Sequence, residues 1–414
     1  MTKWKETEIG KIPEDWGLKK LKDLFEIYVG GDLSKISFSK KKTKEYKYPI
    51  YSNSLNNSGL YGFSKSYQYE PGCVTITARG DVGRAECRKD FFCAIVRLLV
   101  LKPKCDISCQ FVANFINSKL DFSHVGSAVN QLTAPMISDR LIAIPPFPEQ
   151  KAIAKVLSTL DSKIELNNQM NATLESMAQA IFKHWFIDFE FPDESGKPYR
   201  SSGGKMVDSE LGRIPEGWKV CKFGDYGAFK NGINYLRDES GDTQFFIVNV
   251  RDIANNKLLL KESLDKIKID FKKAKEYLLD NKDILIARSA SPGEVSLVFG
   301  NLENVIYSGF SIRYKLNTPN NYLYIFLIMQ KLKENISNFS IGTTLQSVNQ
   351  ETLKNMRFVL PSDKVLKEFN KTTEQILERI HNNLVQNVNL SQIRDSLLPK
   401  LMSGRIRVPI LVEK

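Results

Sequence analysis

One pattern constrains this chain more than any other: an apolar heptad about 33 residues long that is written twice. Ile153, Leu157, Leu160, Ile164, Asn167, Asn171, Leu174, Ala178, Ile181 and Trp185 follow one another at alternating steps of four and three. That spacing is the seam of a long packed helix. Adding 216 to each number gives Phe369, Thr373, Ile376, Ile380, Asn383, Asn387, Leu390, Arg394, Leu397 and Leu401, a second seam with the same rhythm. Each helix at 1.5 Å per residue makes a rod of roughly 50 Å.

Both seams carry two asparagines near their middle. A buried Asn weakens a seam and is retained where it fixes register, because its amide finds a partner in only one alignment. Antiparallel helices meeting at their midpoints would set Asn167 against Asn387 and Asn171 against Asn383. A parallel pairing would set Asn167 against Asn383, so the pattern leaves direction open. Each helix follows a large globular segment, and antiparallel pairing sends those segments to opposite ends, which favours that direction.

The rest of the chain repeats as well. Glu8-Ile9-Gly10-Lys11-Ile12-Pro13-Glu14-Asp15-Trp16 returns as Glu210-Leu211-Gly212-Arg213-Ile214-Pro215-Glu216-Gly217-Trp218 and marks two domain starts. Ile76 to Gly83 and Ile286 to Gly293 are each an apolar strand running into an Arg and a Gly/Ser/Pro turn, and Gly126 to Pro145 aligns with Gly342 to Pro361. The fold class is therefore α+β: two similar mixed α/β domains and two long antiparallel helices forming a coiled-coil-like spacer, with an internal pseudo-two-fold repeat. The boundaries are 1–146 for the first domain, 147–189 for the first spacer helix, 190–207 for a Gly/Pro-rich linker, 208–361 for the second domain, 362–404 for the second helix and 405–414 for a tail. Within the domains we expect helices over Ser108 to Ser118, Asn321 to Leu332 and the basic stretch Leu264 to Leu279. Strands are expected over Tyr46 to Tyr51, Phe245 to Val250, Asp283 to Ala287 and Val305 to Tyr314.

The formal charge is +12. Basic and acidic residues number 22 against 16 over 1–150, 7 against 7 over 151–207, 21 against 18 over 208–361 and 9 against 6 over 362–414, so the excess lies mostly outside the first rod. A basic chain with no run of eighteen apolar residues and a charged start from Lys3 points to nucleic acid rather than a membrane, and to the cytoplasm. Six cysteines without a CxxC pair and three histidines (His124, His184, His381) give reduced structural thiols rather than a zinc site.

Catalytic patterns are missing where they would be expected. An amino-methyltransferase needs an Asn or Asp before Pro-Pro-aromatic, and Ile144-Pro145-Pro146-Phe147 has isoleucine there. There is no GxxxxGKS/T phosphate loop. Pro192-Asp193-Glu194 with Lys197 imitates a nuclease set but lies in the linker with no strand to hold it. The chain reads as a binder, with no metal and no catalytic residue.

Binding a duplex takes cations for phosphate and polar side chains on loops for base edges. In the first domain the candidates are Lys40, Lys41, Lys42 and Lys44 for the backbone and Asn53, Asn56, Asn57, Arg79, Arg84, Asn130 and Gln131 for bases. In the second they are Lys230, Asn231, Arg237, Asn249, Arg251, Arg288, Ser289, Thr343, Thr344 and Gln346. Arg79 with Arg288 is the pair most favoured by the repeat.

The two Glu-Ile/Leu-Gly-Lys/Arg-Ile-Pro-Glu-x-Trp segments, the junction Pro145-Pro146-Phe147-Pro148-Glu149-Gln150 and the ending Ser396 to Ile406 together resemble the DNA-specificity subunits of type I restriction–modification systems, over nearly the whole chain. The resemblance implies two target-recognition domains, each reading half of a bipartite site on double-stranded DNA, held apart by two antiparallel conserved helices. It implies that two modification subunits dock on the helical regions and methylate adenine, and that restriction subunits join them. S-adenosylmethionine, ATP and Mg are then expected on those partners and no cofactor on this chain. Half-sites about one helical turn apart would face the same side of the duplex. Arg394, where the first seam has Ala178, departs from a dry seam and suggests a polar contact to a partner subunit. The alternative is a stand-alone sequence-specific DNA-binding protein without enzyme partners; a scaffold that binds no nucleic acid is a third class.

Overall fold

The structure, a computed structural model, describes residues 3–122, 131–236, 240–300, 302–333 and 348–409. It divides into two compact units, one formed by 1–164 with 389–414 and the other by 165–388. Both are mixed α/β.

In the first unit the chain opens with a hairpin in which Trp4–Lys5 pairs with Ile12–Pro13. Gly10 turns it at φ 96°, a backbone region that L side chains rarely adopt, and the Thr7 hydroxyl donates to the Gly10 carbonyl at 2.6 Å. A four-stranded antiparallel sheet follows in the order Phe25–Val29, Leu99–Pro103, Val74–Ile76, Ala85–Cys87. A second sheet has the order Cys93–Ala94, Tyr48–Tyr51, Leu60–Ser64, Phe38–Ser39, its first pair parallel. Gly17–Lys20 pairs with Leu141–Ile144, which leads into the first long helix. The helix Cys109–Lys119, whose cap Ser108 accepts from the Phe111 amide, covers the first sheet with Phe111, Val112, Phe115 and Ile116.

The second unit repeats this connectivity. Met206–Ser209 pairs with Gly212–Pro215, Gly212 again sits at φ 96°, and the Ser209 hydroxyl donates to its carbonyl at 2.6 Å. The antiparallel sheet runs Gly227–Asn231, Ser311–Leu316, Ile284–Ala287, Val295–Leu297. The companion sheet has Thr243–Val248 between Asp265–Ile269 and a parallel Val305–Tyr307. Lys219–Lys222 pairs with Arg357–Leu360, and Tyr322–Lys331 is the covering helix.

The first long helix, Phe147–Phe182, runs into one wide turn, Lys183–Ile187, and the second spans Asp363–Met402. The wide turn buries Phe186 against Tyr324 and Phe369, while Trp185, the last residue of the expected seam, stays at the rim. Within the second unit the helices run antiparallel: Asn167 Nδ2 donates to Asn387 Oδ1 at 2.8 Å and to Gln386 Oε1 at 2.9 Å, and Asn383 Nδ2 donates to Asn171 Oδ1 at 2.8 Å. Asn387 in turn donates to Asn168. Within the first unit, Ile153, Leu157 and Leu401 are buried in one cluster, and the Arg394 guanidinium pairs with Asp161 of the facing helix at 2.9 Å. Arg394 thus has a partner inside this unit and keeps a third of its side chain exposed.

Three expectations about local structure are revised. Leu264 to Leu279 is helical only over Phe271–Ala274 and the tight turn Lys275–Tyr277: Asp265–Ile269 is an edge strand, because its charges alternate with Ile267 and Ile269 at a period of two. Val305 to Tyr314 is two strands in different sheets, broken at 308–310. The expected strand to Val250 stops at Val248, and Asn249 begins a short helix, Val250–Asn255.

Candidate nucleic-acid interface

The motifs that recur in sequence do scaffold work. Trp16 is fully buried, and its ring N–H donates to Glu149 Oε2 at 3.2 Å in the first turn of the long helix. Glu149 is itself almost fully buried and takes both nitrogens of the Arg407 fork at 2.6 and 2.8 Å, while Arg407 also reaches Asp15 at 2.7 Å. That bond holds the Asp15 carboxyl below the usual range. Gln150 staples the Pro-Pro junction, its amide donating to the Pro145 carbonyl and accepting from the Ser108 amide, both at 2.9 Å. Trp218 in the second unit is stacked instead by Phe191, centroids 5.0 Å apart.

The linker is packed rather than free. Phe191 stacks on Tyr199 at 4.6 Å, and Asp193 Oδ1 accepts from the Ser195 and Lys197 amides and the Ser195 hydroxyl. These bonds, the Ser195 hydroxyl foremost, lower the Asp193 pKa, and the carboxylate that imitated a nuclease residue closes a turn.

Among the first unit's candidates, one group converges. Arg79 donates through Nε at 3.3 Å and Nη2 at 3.0 Å to Gln131 Oε1, on the turn that follows Val74–Ile76. Asn53 lies beneath it with both ends of its amide engaged, accepting from the Ala78 N–H at 2.6 Å and donating to the Val96 carbonyl. Asn53 is thereby a brace between two loops. Lys40 donates to the Tyr61 carbonyl at 3.1 Å and lies over that ring. Lys41, Lys42, Lys44, Asn56, Asn57 and Arg84 are exposed, and their side chains make no hydrogen bond or ion pair with the described residues. Asn57 sits at φ 48° in the loop tip. Asn130 lies outside the described residues.

In the second unit Asn249 and Arg251 share Asp265: the Asn249 amide donates to it at 3.2 Å and Arg251 pairs with it, which raises the Arg251 pKa. Lys230 pairs with Glu276 at 3.0 Å, and that bond lowers the Glu276 pKa. Each of these cations has to leave an internal carboxylate to take a phosphate. Asn231 is half-buried in its strand, and Arg288 and Ser289 are half-exposed after Ile284–Ala287. Arg237, Thr343, Thr344 and Gln346 lie outside the described residues.

Arg79 and Arg288 are not equivalent. The Leu132 amide donates to the Ala78 carbonyl at 2.9 Å, and its counterpart Val348 donates to the Arg288 carbonyl at 2.9 Å. Gly83 returns to Thr77 and Gly293 to Ala287 in the same way. The register therefore aligns Arg288 with Ala78 and Ser289 with Arg79, and on extended backbone one residue of offset reverses the side on which a side chain emerges.

Among the described residues no three His, Cys, Asp or Glu side chains gather as metal ligands would. The Cys109 thiol, one half of the Cys105/Cys109 pair, is pushed up to about 12 by burial, which disfavours the thiolate a metal needs. No described helix is long and apolar enough to cross a membrane.

The family model for the type I restriction modification DNA specificity domain matches residues 13–176 and again 215–391, one match for each repeat. The chain belongs to this family of specificity subunits. It is 28% identical to the type I restriction enzyme MjaIX specificity subunit of Methanocaldococcus jannaschii, over 98% of this chain and 97% of that one. It is 23% identical to the HindI specificity subunit of Haemophilus influenzae, over 92% of this chain and 99% of that one. The crystal structure of the type I restriction–modification S subunit from M. genitalium shares its fold at a TM-score of 0.62 and 15% identity, covering 93% of this chain and 96% of that one.

Sequence reasoning about this specificity subunit missed one set of residues, the aromatic side chains on and beside the first unit's second sheet, half-buried except for the exposed Tyr67. Tyr46, Tyr48, Tyr51, Tyr61, Phe63, Tyr67 and Tyr69 are dense enough to have been noticed. They were passed over because aromatic rings in strands are ordinarily core.

Proposed function

We propose that this specificity subunit reads a bipartite duplex, one half through the domain at 1–146 and the other through the domain at 208–361, and performs no chemistry itself. The paired helices at 147–189 and 362–404 set the gap between half-sites and carry two modification subunits, to which restriction subunits add. S-adenosylmethionine, ATP and Mg belong to those partners. What supports the reading is the duplication itself: one family model matches each repeat, and the two domains share a hairpin, a four-stranded antiparallel sheet and a covering helix, while the companion sheet has four strands in the first and three in the second. A duplicated reader tied to helices of fixed register suits a split site better than a continuous one.

In the reader loops we assign Lys40 to Lys42 and Lys44 to phosphate. Arg79 with Gln131, and Asn56 and Asn57, are assigned to base edges. In the second domain Ser289 and Arg288 carry the corresponding turn, and Asn249, Arg251 and Lys230 become available when their carboxylate partners are displaced.

The test is methylation-site mapping by single-molecule sequencing with the modification subunits present, on the native subunit and on one with a heptad added at Asn167 to Leu174 and its equivalent. The expected result is a bipartite motif whose gap changes with the insertion while its halves stay the same. A continuous motif, or altered halves with an unchanged gap, would refute it.

A further inference from the structure

The second sheet of the first unit presents something duplex recognition does not require. Tyr67 and Phe91 are 46% and 41% exposed, yet they lie in contact, centroids 4.6 Å apart, and Tyr48 joins the row at 5.2 Å from Tyr67. The row borders an open depression of about 540 Å³ walled by Lys42, Lys47 and Phe63, with Asp90 as its one acidic residue. Lys47 Nζ stands 5.0 Å from the Tyr48 ring, and at the sheet edge Lys40 Nζ stands 3.4 Å from the Tyr61 ring. Behind Tyr48 the two sheets are tied together: the buried Arg88 guanidinium lies 3.7 Å over Tyr51, in the same strand as Tyr48, and donates to Thr75 of the first sheet at 2.8 Å.

A Watson–Crick duplex offers base edges and phosphates but hides the faces of its bases. Exposed rings flanked by lysines match an unpaired strand, in which each base has a free face for stacking and each phosphate lies within reach of a cation. Among the described residues the companion sheet of the second unit shows no such row: Phe245 is buried, and Phe246 is the strand ring approached by lysines, Lys261 at 4.9 Å and Lys266 at 5.7 Å.

We infer that the Tyr48–Tyr67–Phe91 row is a stacking platform for unpaired nucleotides, a single-strand site on the first unit whose rings lie outside the residues assigned to the duplex and whose flanking Lys40 and Lys42 can serve the phosphates of either. The site does not depend on which bases the reader loops recognise.

Fluorescence anisotropy of the full chain with a labelled single strand of about 20 nucleotides, beside the same sequence as a duplex, tests it at low salt, where phosphate contacts are strongest. Tyr67→Ala and Phe91→Ala should each weaken the single-strand complex by about five- to a hundredfold, the range expected for one lost base stack. Duplex affinity and melting temperature should stay unchanged, and Tyr67→Phe, which keeps the ring, should bind the single strand as the native chain does. The proposal is overturned if the native chain does not bind the single strand, as a protein-docking role for the row would give. It is also overturned if the alanine variants bind it undiminished, or if they lose duplex and single strand equally.

Discussion

Glu149 supplies the sharpest test of how the first unit is held together. Its carboxylate is almost entirely removed from water and faces three donors: the Trp16 ring N–H and two nitrogens of Arg407. Removing one partner of a buried ion pair costs about 3–5 kcal/mol, because the other charge stays behind undischarged. The Arg407 side chain is a third exposed, so water entering its place would solvate part of that charge, and a loss of about 2 kcal/mol is reasonable for Arg407→Ala. In a unit of this size that is a fall of about 4–8 °C in melting temperature. Glu149→Gln decides whether the charge is responsible, since glutamine keeps an acceptor for Trp16 while removing the carboxylate. In the native background it strands Arg407 and should destabilise. In the Arg407→Ala background it relieves an unpaired buried charge and should stabilise. Calorimetric melting of the four proteins gives the cycle directly. If Glu149→Gln has the same sign in both backgrounds, or if Arg407→Ala melts within a degree of the native chain, the tail contributes packing only and the reasoning fails.

Three further outcomes are expected. Asp283, buried beside Arg313 and raised by burial to about 6, destabilises the second unit above that pH; protonation should add about 0.8 kcal/mol between pH 7.5 and 5.5, visible as a pH-dependent difference in melting between the native chain and Asp283→Asn and disproved by parallel curves. Asn171→Ala leaves the Asn383 amide dry and unpaired and should cost about 1–3 kcal/mol, whereas leucine at both positions should raise the melting temperature while loosening register, so a double-leucine protein less stable than native would contradict the account. Selection from random duplexes should show Arg79→Ala relaxing one half-site by about 1–3 kcal/mol at one position and Arg288→Ala the other; equal weakening of every sequence would assign both to phosphate.

The helices and the repeat were legible because they depend on residue type at fixed spacing. An apolar seam of period 3.5 has to be covered somewhere, and a Gly at φ 96° followed by Trp specifies the same hairpin at Gly10 and at Gly212 whatever surrounds it. Asp265–Ile269 was hidden by its lysines: charge suggested a solvated helix, while the alternation of Ile267 and Ile269 was too short to outweigh it. Pairing Arg79 with Arg288 failed for a different reason. Residue type outweighed register: the match of Ile76 to Gly83 with Ile286 to Gly293 already sets Arg79 opposite Ser289, and the backbone bonds at Ala78 and Arg288 keep that one-residue offset.

The reader loops show the limit most clearly, because a polar side chain can recognise a base only with donors or acceptors the fold has not already taken. Asn53 and Asn56 look alike in sequence, three residues apart in one polar loop. Asn53 has its amide oxygen on the Ala78 N–H and its nitrogen on the Val96 carbonyl, so replacing it would disturb the turn that carries Arg79 before it altered any base contact. Asn56 is exposed, with no such side-chain bond among the described residues. The same distinction separates Lys42 and Lys44 from Lys230, whose ammonium is answered by Glu276. On the proposed reading, the first unit offers DNA candidate cations ready for phosphate, while Lys230 and Arg251 of the second have to exchange internal ion pairs for external ones, so their contribution depends on how much attraction phosphate offers beyond a carboxylate already in place.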